Sequence, residues 1–103
     1  MTELLRRGVA PDAVFCFTDE LALGAARALR DRGLRVPEDV ALVGFDDIED
    51  GRFSTPSLTT VAPDKEQIAR LALECLARRI EDPGRPGEDL VAAHTLVVRE
   101  SSG

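Results

Sequence analysis

Two pairs of oxygen-bearing side chains stand directly after short apolar runs in this sequence. Thr18 and Asp19 form the first pair, and Asp46 and Asp47 form the second. Their oxygens could accept hydrogen bonds from a polar small molecule or, as a carboxylate cluster, hold a divalent cation. They could also serve structure, with Thr18 or Asp19 capping a helix and the later pair making turn hydrogen bonds. For Asp19 the structural interpretation is at least as strong, whereas the place of Asp46 directly after a strand favours ligand binding.

The elements around these residues should bring the two polar pairs together. The apolar runs at 13–17 and 40–45 do not alternate with polar residues, which predicts strands buried on both faces. Between them, apolar side chains recur at helical spacing from Leu21 to Leu29, and Gly33 ends the predicted helix. Strand, helix and strand form a βαβ unit with parallel strands. Because parallel strands end at the same edge of a sheet, both polar pairs are expected to face one crevice.

The rest of the chain supplies further elements of an α/β fold. Residues 48–57 predict a loop, in which Phe53 either tucks under the chain or meets a partner surface. Residues 58–61 are rich in β-branched side chains and predict a short strand. A second long helix with an apolar stripe is predicted to begin at Asp64, and a last strand at 96–98.

The chain is acidic, with 19 Asp and Glu against 13 Lys and Arg and a net charge of −6. An acidic chain repels phosphate, so we expect no direct nucleic-acid contact by this segment. No apolar run approaches the roughly 20 residues that span a bilayer, and the first residues lack the apolar core of a secretory signal. We therefore expect no membrane contact and a cytoplasmic location.

The motifs present do not assemble a catalytic site. His94 is the only histidine, and no nucleophile, phosphate-binding loop or dinucleotide motif is placed to work with it. Cys16 and Cys75 lie far apart in apolar patterns and are interpreted as buried reduced thiols, not as a disulfide or metal pair. Hard-cation sites usually gather more oxygen ligands than these aspartates offer. The sequence therefore predicts no enzyme activity, no cofactor and no metal site.

Most of the chain resembles the lactose-repressor (LacI/GalR) family of bacterial transcription regulators. The segments that carry the resemblance are Phe-Cys-Phe-Thr-Asp-Glu-Leu-Ala-Leu-Gly-Ala at 15–25, the stretch at 33–40, Val-Gly-Phe-Asp-Asp at 43–47, Thr-Pro-Ser-Leu-Thr-Thr-Val at 55–61 and Leu-Val-Val-Arg-Glu-Ser at 96–101. They occur in the family's order. The resemblance implies a three-layer α/β fold with a parallel sheet, like that of type I periplasmic binding proteins, of which this chain is mainly the C-terminal lobe.

The resemblance also implies how the chain is divided. Residues 13–62 and 93–100 would belong to the C-terminal lobe, and residues 64–90 to the other lobe of a two-lobed effector module. The helix in 64–90 would then lack much of its supporting sheet. It is expected either to be poorly supported or to be completed by another copy, as in domain swapping. The helix-turn-helix that precedes the effector module in the family is absent from these residues.

Roles for single residues follow from the same resemblance. Asp46 would accept hydrogen bonds from the hydroxyls or ring nitrogens of an effector, which suits a carboxylate with about four acceptor sites. Thr18 stands where many relatives carry an effector-contacting Asn, and Asp19 is a further candidate because it shares the crevice. Pro63 and Lys65 stand where relatives often carry Gln and, in some, an aromatic residue.

The family dimerises through this lobe, which makes Leu21, Ala25, Arg52 and Phe53 the expected homodimer surface. The resulting hypothesis is an effector-binding and dimerisation segment of a transcription regulator, with a sugar or nucleobase-like effector. Two alternatives stay open. One is a fragment of a periplasmic sugar-binding receptor of the same fold, and the other is a receiver-like signalling domain that gathers aspartates around Mg²⁺.

Overall fold

Strands and helices alternate along most of the chain in the computed structural model, which describes residues 1–103. The order matches the predicted α/β pattern. The elements are α1 (Thr2–Arg6), β1 (Ala13–Phe15), α2 (Asp19–Asp31), β2 (Ala41–Phe45), α3 (Glu49–Phe53), β3 (Thr59–Pro63), α4 (Lys65–Glu81), β4 (His94–Val97) and a final 3-10 turn (Glu100–Ser102).

The four strands form one sheet in the order β1-β2-β3-β4. β1 and β2 run parallel, with Ala13 opposite Ala41 and Phe15 opposite Val43, and β2 and β3 also run parallel. α2 connects β1 to β2 and packs on β2. The predicted βαβ unit is therefore confirmed, and three neighbouring strands end at the same edge of the sheet.

The prediction of a buried first strand over residues 13–17 is wrong. β1 is shorter, and it lies at the edge of the sheet with a neighbour on one side only. Phe15 is 55% exposed and Phe17 is 81% exposed. The two rings contact each other edge to face, with 6.1 Å between their centroids. An apolar run indicates that a strand is suited to burial, but no element of this chain covers these two rings.

β2 is buried on one face and only partly covered on the other. Leu42 and Gly44 are buried, whereas the alternate residues Ala41, Val43 and Phe45 are half-buried. The prediction of burial on both faces is thus wrong for the second face. α2 covers the face that carries Leu42, and no helix covers the opposite face to the same degree.

α2 supplies the other half of the core. Thr18 caps the helix, because its hydroxyl accepts a hydrogen bond from the N–H of Leu21 over 3.2 Å. Ala22 and Ala25 are buried and pack against the sheet with Leu42 and Leu58. The small alanine side chains let the helix backbone lie close to β2, as the apolar spacing of this segment predicts.

Residues 48–57 are not the plain loop that the sequence predicts, because they contain α3. Gly51 is buried on this short helix, where an added Cβ would lie 3.3 Å from Leu58 Cβ. The glycine that suggests a loop therefore permits close packing instead. Phe53, at the end of α3, is 78% exposed, so it does not tuck under the chain.

The chain divides into two compact units, Met1–Ala62 with Leu96–Gly103, and Pro63–Thr95. The second unit is built on α4. Asp64 caps this helix by accepting a hydrogen bond from the N–H of Gln67 over 3.0 Å. No residue of α4 is buried, although its apolar stripe is longer than that of α2. The assignment of the two parts to two different lobes stays a prediction.

The tight contact at Gly44 gives a direct test of this fold. A Cβ at position 44 would meet Oδ1 of Asp19 and would lie 3.2 Å from Asp19 Cα and 3.1 Å from Leu58 Cδ2. We expect Gly44→Ala to lower the free energy of unfolding by about 1–3 kcal/mol, measured by urea denaturation, because overpacking forces neighbours to shift.

The matched control is Gly24→Ala, in the middle of α2. Nothing lies within 4 Å of a Cβ built there, so the substitution should stabilise the helix by roughly 0.5–1 kcal/mol. Equal losses of stability in the two variants would contradict the close approach of β2 to α2.

Candidate functional site

Asp19, the first residue of α2, is fully buried at the carboxyl edge of the sheet. Thr60 donates a hydrogen bond from Oγ1 to its Oδ1 over 2.6 Å, and the N–H of Ile48 donates to its Oδ2 over 2.9 Å. The helix N-terminus also favours a negative charge at this position. This geometry gives Asp19 a structural role, and it offers no support for the prediction that Asp19 contacts a ligand.

The chain leaves β2 through a strained turn made of Asp46 and Asp47. Their φ angles are 114° and 56°, in the range that residues other than glycine rarely adopt. The N–H of Asp46 donates to the carbonyl of Val61 over 2.9 Å, and the N–H of Asp47 lies 3.4 Å from Oγ1 of Thr60. β3 therefore holds the backbone of the turn through two neighbouring residues.

Asp47 is paired with two arginines. Its side chain is 15% exposed and accepts hydrogen bonds from Arg99 over 2.7 Å and from Arg52 over 2.9 Å. Burial by itself would raise the pKa of Asp47, but the hydrogen bonds from Arg99 and Arg52 outweigh it and hold the pKa below its usual range. Asp47 is thus ionised near neutral pH and serves as the centre of an ion-pair cluster.

Asp46 differs from both neighbouring aspartates in the fold. It is half-buried, and its carboxylate takes no part in the hydrogen bonds and ion pairs that hold Asp19 and Asp47. Its oxygens can therefore accept hydrogen bonds from an external partner. Of the three acidic residues singled out from the sequence, this is the one whose carboxylate has no partner in the chain.

Thr18 keeps one free hydrogen-bond donor after capping α2. Its Oγ1 accepts the N–H of Leu21, and the hydroxyl proton has no acceptor within the chain. The residue is half-buried, next to Asp19 in the chain and after the strand that pairs with β2. Its role as a cap is observed, and its contact with a ligand stays a prediction.

The C-terminal residues link β2 to β3, and they were missed by reasoning from the sequence. Ser101 is buried, donating to the carbonyl of Leu42 over 2.6 Å and accepting from the N–H of Thr59 over 2.8 Å. The N–H of Arg99 donates to Oγ1 of Thr59 over 2.8 Å. A carboxylate pair at a strand end predicts a nearby cation, but nothing in the spacing of the 13 basic residues shows which one.

The residues of the expected dimer surface lie in different environments. Leu21 is 59% exposed and Phe53 is 78% exposed, so both are available to a partner. Ala25 is 5% exposed and belongs to the core, and Arg52 is bound to Asp47. A groove of about 460 Å³ runs beside α2, lined by Met1, Thr2, Leu4, Val14, Phe15, Cys16, Phe17, Glu20, Leu21, Gly24, Ala25 and Ala28.

No three side chains of His, Cys, Asp or Glu lie close enough together to hold a metal ion. Cys16 and Cys75 are both free thiols, and burial raises the pKa of Cys16. None of the helices has the length and apolar character that crossing a bilayer requires.

Comparisons with known proteins match this geometry to a family. The family described as "Periplasmic binding protein-like domain" matches residues 1–102. The chain is 42% identical over 98 residues to the ribose operon repressor of Haemophilus influenzae, a match that covers 95% of this chain and 30% of that protein. The chain belongs to the periplasmic binding protein-like domain family.

Solved structures place the chain among the LacI-type regulators of this family. The cellobiose complex of the transcriptional regulator CelR matches 97% of this chain and 31% of its own, with 41% identity and a TM-score of 0.87. The lac repressor dimer bound to operator and the anti-inducer ONPF matches 98% of this chain and 35% of its own, with 33% identity and a TM-score of 0.85. The resemblance to the LacI/GalR family is therefore confirmed.

This LacI-type chain spans about a third of the length of the proteins that it matches. It corresponds to a segment of the effector-binding domain of LacI-family repressors, which are not enzymes. The partial fold of the periplasmic binding protein type is also confirmed. The alternative of a receiver-like signalling domain finds no support in these matches.

The Asp47 cluster predicts how stability depends on pH. A carboxylate whose pKa is lowered on folding stabilises the fold fully above its unfolded pKa, near 3.8, and this contribution disappears as pH falls through the folded pKa. In urea denaturation between pH 6 and pH 3, wild type should therefore lose more stability than Asp47→Asn. Asn tolerates the positive φ at this position, so it is a matched replacement. Parallel pH profiles for the two proteins would contradict the ion-pair cluster.

Proposed function

We propose that this chain is the part of a LacI-type effector module that binds a small polar effector through Asp46. The observation that carries the proposal is the free carboxylate of Asp46, held in a strained turn at the edge of the sheet while Asp19 and Asp47 are engaged by protein donors. An ionised carboxylate offers several acceptor positions, which suits the neighbouring hydroxyls of a sugar.

The named relatives support a small polar effector. One is a ribose operon repressor, and another was solved with cellobiose. The effector of this chain is accordingly a sugar or a nucleobase-like compound, with Thr18 beside Asp46 as a second contact. The free hydroxyl proton of Thr18 can donate where the carboxylate can only accept, so the two side chains complement each other.

In the intact regulator, binding would be coupled to the state of a dimer. Residues 64–90 would belong to the second lobe, and effector binding would shift the population of a DNA-competent homodimer. The segment itself would make no direct contact with nucleic acid, catalyse no reaction and act in the cytoplasm, as expected of a transcription regulator. The exposed Phe53 and Leu21 would contribute to the dimer surface.

A thermal-shift panel tests the binding role of Asp46. The panel is D-ribose, D-glucose, cellobiose, lactose, adenine and guanine, each at a saturating concentration. A ligand at 100 times its dissociation constant stabilises the folded state by about 2.7 kcal/mol, which is readily visible as a rise in melting temperature. Asp46→Asn should weaken binding of the active compound by at least about tenfold, since hydrogen bonds to charged groups contribute roughly 1.5–3 kcal/mol.

The matched control for this panel is Asp50→Asn, which removes the same charge from an exposed position on α3. Its melting-temperature shift should equal that of wild type. Undiminished binding by Asp46→Asn would overturn the proposed role of the residue.

Sedimentation equilibrium tests the dimer surface. We expect Phe53→Glu to raise the dimer dissociation constant by at least about tenfold. The aromatic ring that would become buried in the dimer interface would be replaced by a charged side chain. Leu73→Glu, which changes an exposed leucine of α4, should leave the dissociation constant unchanged. If Ile68→Glu, on the apolar stripe of α4, dissociates the dimer and Phe53→Glu does not, the copies associate through a domain swap.

A further inference from the structure

Arg99 is fixed more firmly than any other cation of this chain near the proposed site. Its side chain is 17% exposed. One guanidinium nitrogen, Nη2, donates to Oδ1 of Asp47 over 2.7 Å, and the other, Nη1, donates to the carbonyl of Leu58 over 2.9 Å. The guanidinium group is planar and rigid, so an arginine that makes both bonds at once has little rotational freedom left. Asp47 is thereby tied to the residue that precedes β3.

The main chain of Arg99 is also anchored. Its N–H donates to Oγ1 of Thr59, and two residues later Ser101 bridges β2 and β3 through Leu42 and Thr59. The guanidinium therefore projects from a fixed point. By contrast, Arg52 lies on the short helix α3 and its side chain is 53% exposed, so its bond to Asp47 is the weaker restraint.

The turn that Arg99 reaches needs such a restraint. Asp46 and Asp47 are two consecutive non-glycine residues with positive φ, and such strained residues persist only where neighbouring contacts hold them. The backbone of Asp46 has one hydrogen bond, to Val61, and the amide of Asp47 has one long contact, to Thr60. The side chain of Asp46 is free, so the remaining restraints on the turn are the side chain of Asp47 and, one residue later, the N–H of Ile48 that donates to Asp19.

From this arrangement we propose that Arg99 is a positioning residue for Asp46, acting through Asp47. The inference deepens the proposed function, on which it rests for its biological meaning. Arg99 contacts no ligand in this scheme. It holds the second residue of the turn so that the first presents its carboxylate in one orientation, which lowers the ordering cost of binding.

Hydrogen exchange measured by NMR on the whole chain tests this without any ligand. In Arg99→Gln, the amides of Asp46 and Ile48 should exchange at least tenfold faster than in wild type. The amides of Val43 and Ala25, in the centres of β2 and α2, should change by less than twofold. A merely structural role predicts a different result, because general destabilisation speeds the exchange of all four amides together.

Two further variants bracket the effect. Arg99→Lys keeps the charge but cannot make both bonds of the fork, so it should restore part of the lost protection at Asp46. Arg27→Gln removes an equal charge from the exposed pair with Asp31 on α2 and should leave exchange at the turn unchanged.

A pH titration of Asp46→Asn decides the matter if Arg99→Gln does not fold, because this substitution removes the carboxylate whose own titration would move the same amide. The charged groups facing Asp47 are then Arg99 and Arg52, with Asp19 bonded to the next amide. The amide shift of residue 46 should move with the same midpoint as the side-chain carbon of Asp47, because protonation releases the same restraint.

Two results would overturn the inference. One is uniform acceleration of exchange, or no change, in Arg99→Gln. The other is an amide of residue 46 that does not follow the titration of Asp47. Since neither readout uses an effector, failure here is distinct from failure of the thermal-shift panel. That panel could show binding through Asp46 even if Arg99 has no part in positioning it.

Discussion

The carboxyl edge of this sheet depends on one buried acidic side chain. Asp19 has no access to water, and a carboxylate in that position is tolerated only where hydrogen-bond donors are aimed at it. Thr60 and the amide of Ile48 are those donors, one from β3 and one from the segment after β2. A single side chain thus joins the start of α2 to β3 and to the segment that follows β2, and Gly44 is required because any Cβ there would occupy the space of this carboxylate.

The acidic residues at this edge divide their roles according to their partners. Asp19 is satisfied by uncharged donors and holds the elements together. Asp47 is satisfied by two guanidinium groups and holds the turn. Asp46 is the carboxylate left without a partner in the chain. A binding residue needs both features, a free polar group and surroundings that keep it from moving, and the neighbouring aspartates supply the second.

The sequence predicted the order of elements and the parallel βαβ unit, because hydrophobic spacing and helix caps act locally. Thr18 as a cap and Gly33 as a terminator are examples of such local signals. What the sequence did not reveal depends on distant residues. Burial of β1 depends on which elements lie beside Phe15 and Phe17, and an apolar run carries no information about whether they are present. The pairing of Arg99 with Asp47 joins residues that are 52 positions apart, and no local pattern encodes such a contact.

The most direct test compares the unfolding free energies of Asp19→Ala and Asp46→Asn in urea at neutral pH. An alanine at position 19 would leave the hydroxyl of Thr60 and the N–H of Ile48 without their acceptor in a buried site, so the account predicts a loss of at least about 1–3 kcal/mol. Removal of the carboxylate at position 46 should change the free energy of unfolding by no more than about 0.5 kcal/mol, as for a side chain that makes no hydrogen bond or ion pair in the fold. A loss at position 46 as large as that at position 19 would contradict the central claim, since the Asp46 carboxylate would then be part of the fold and unavailable to an effector.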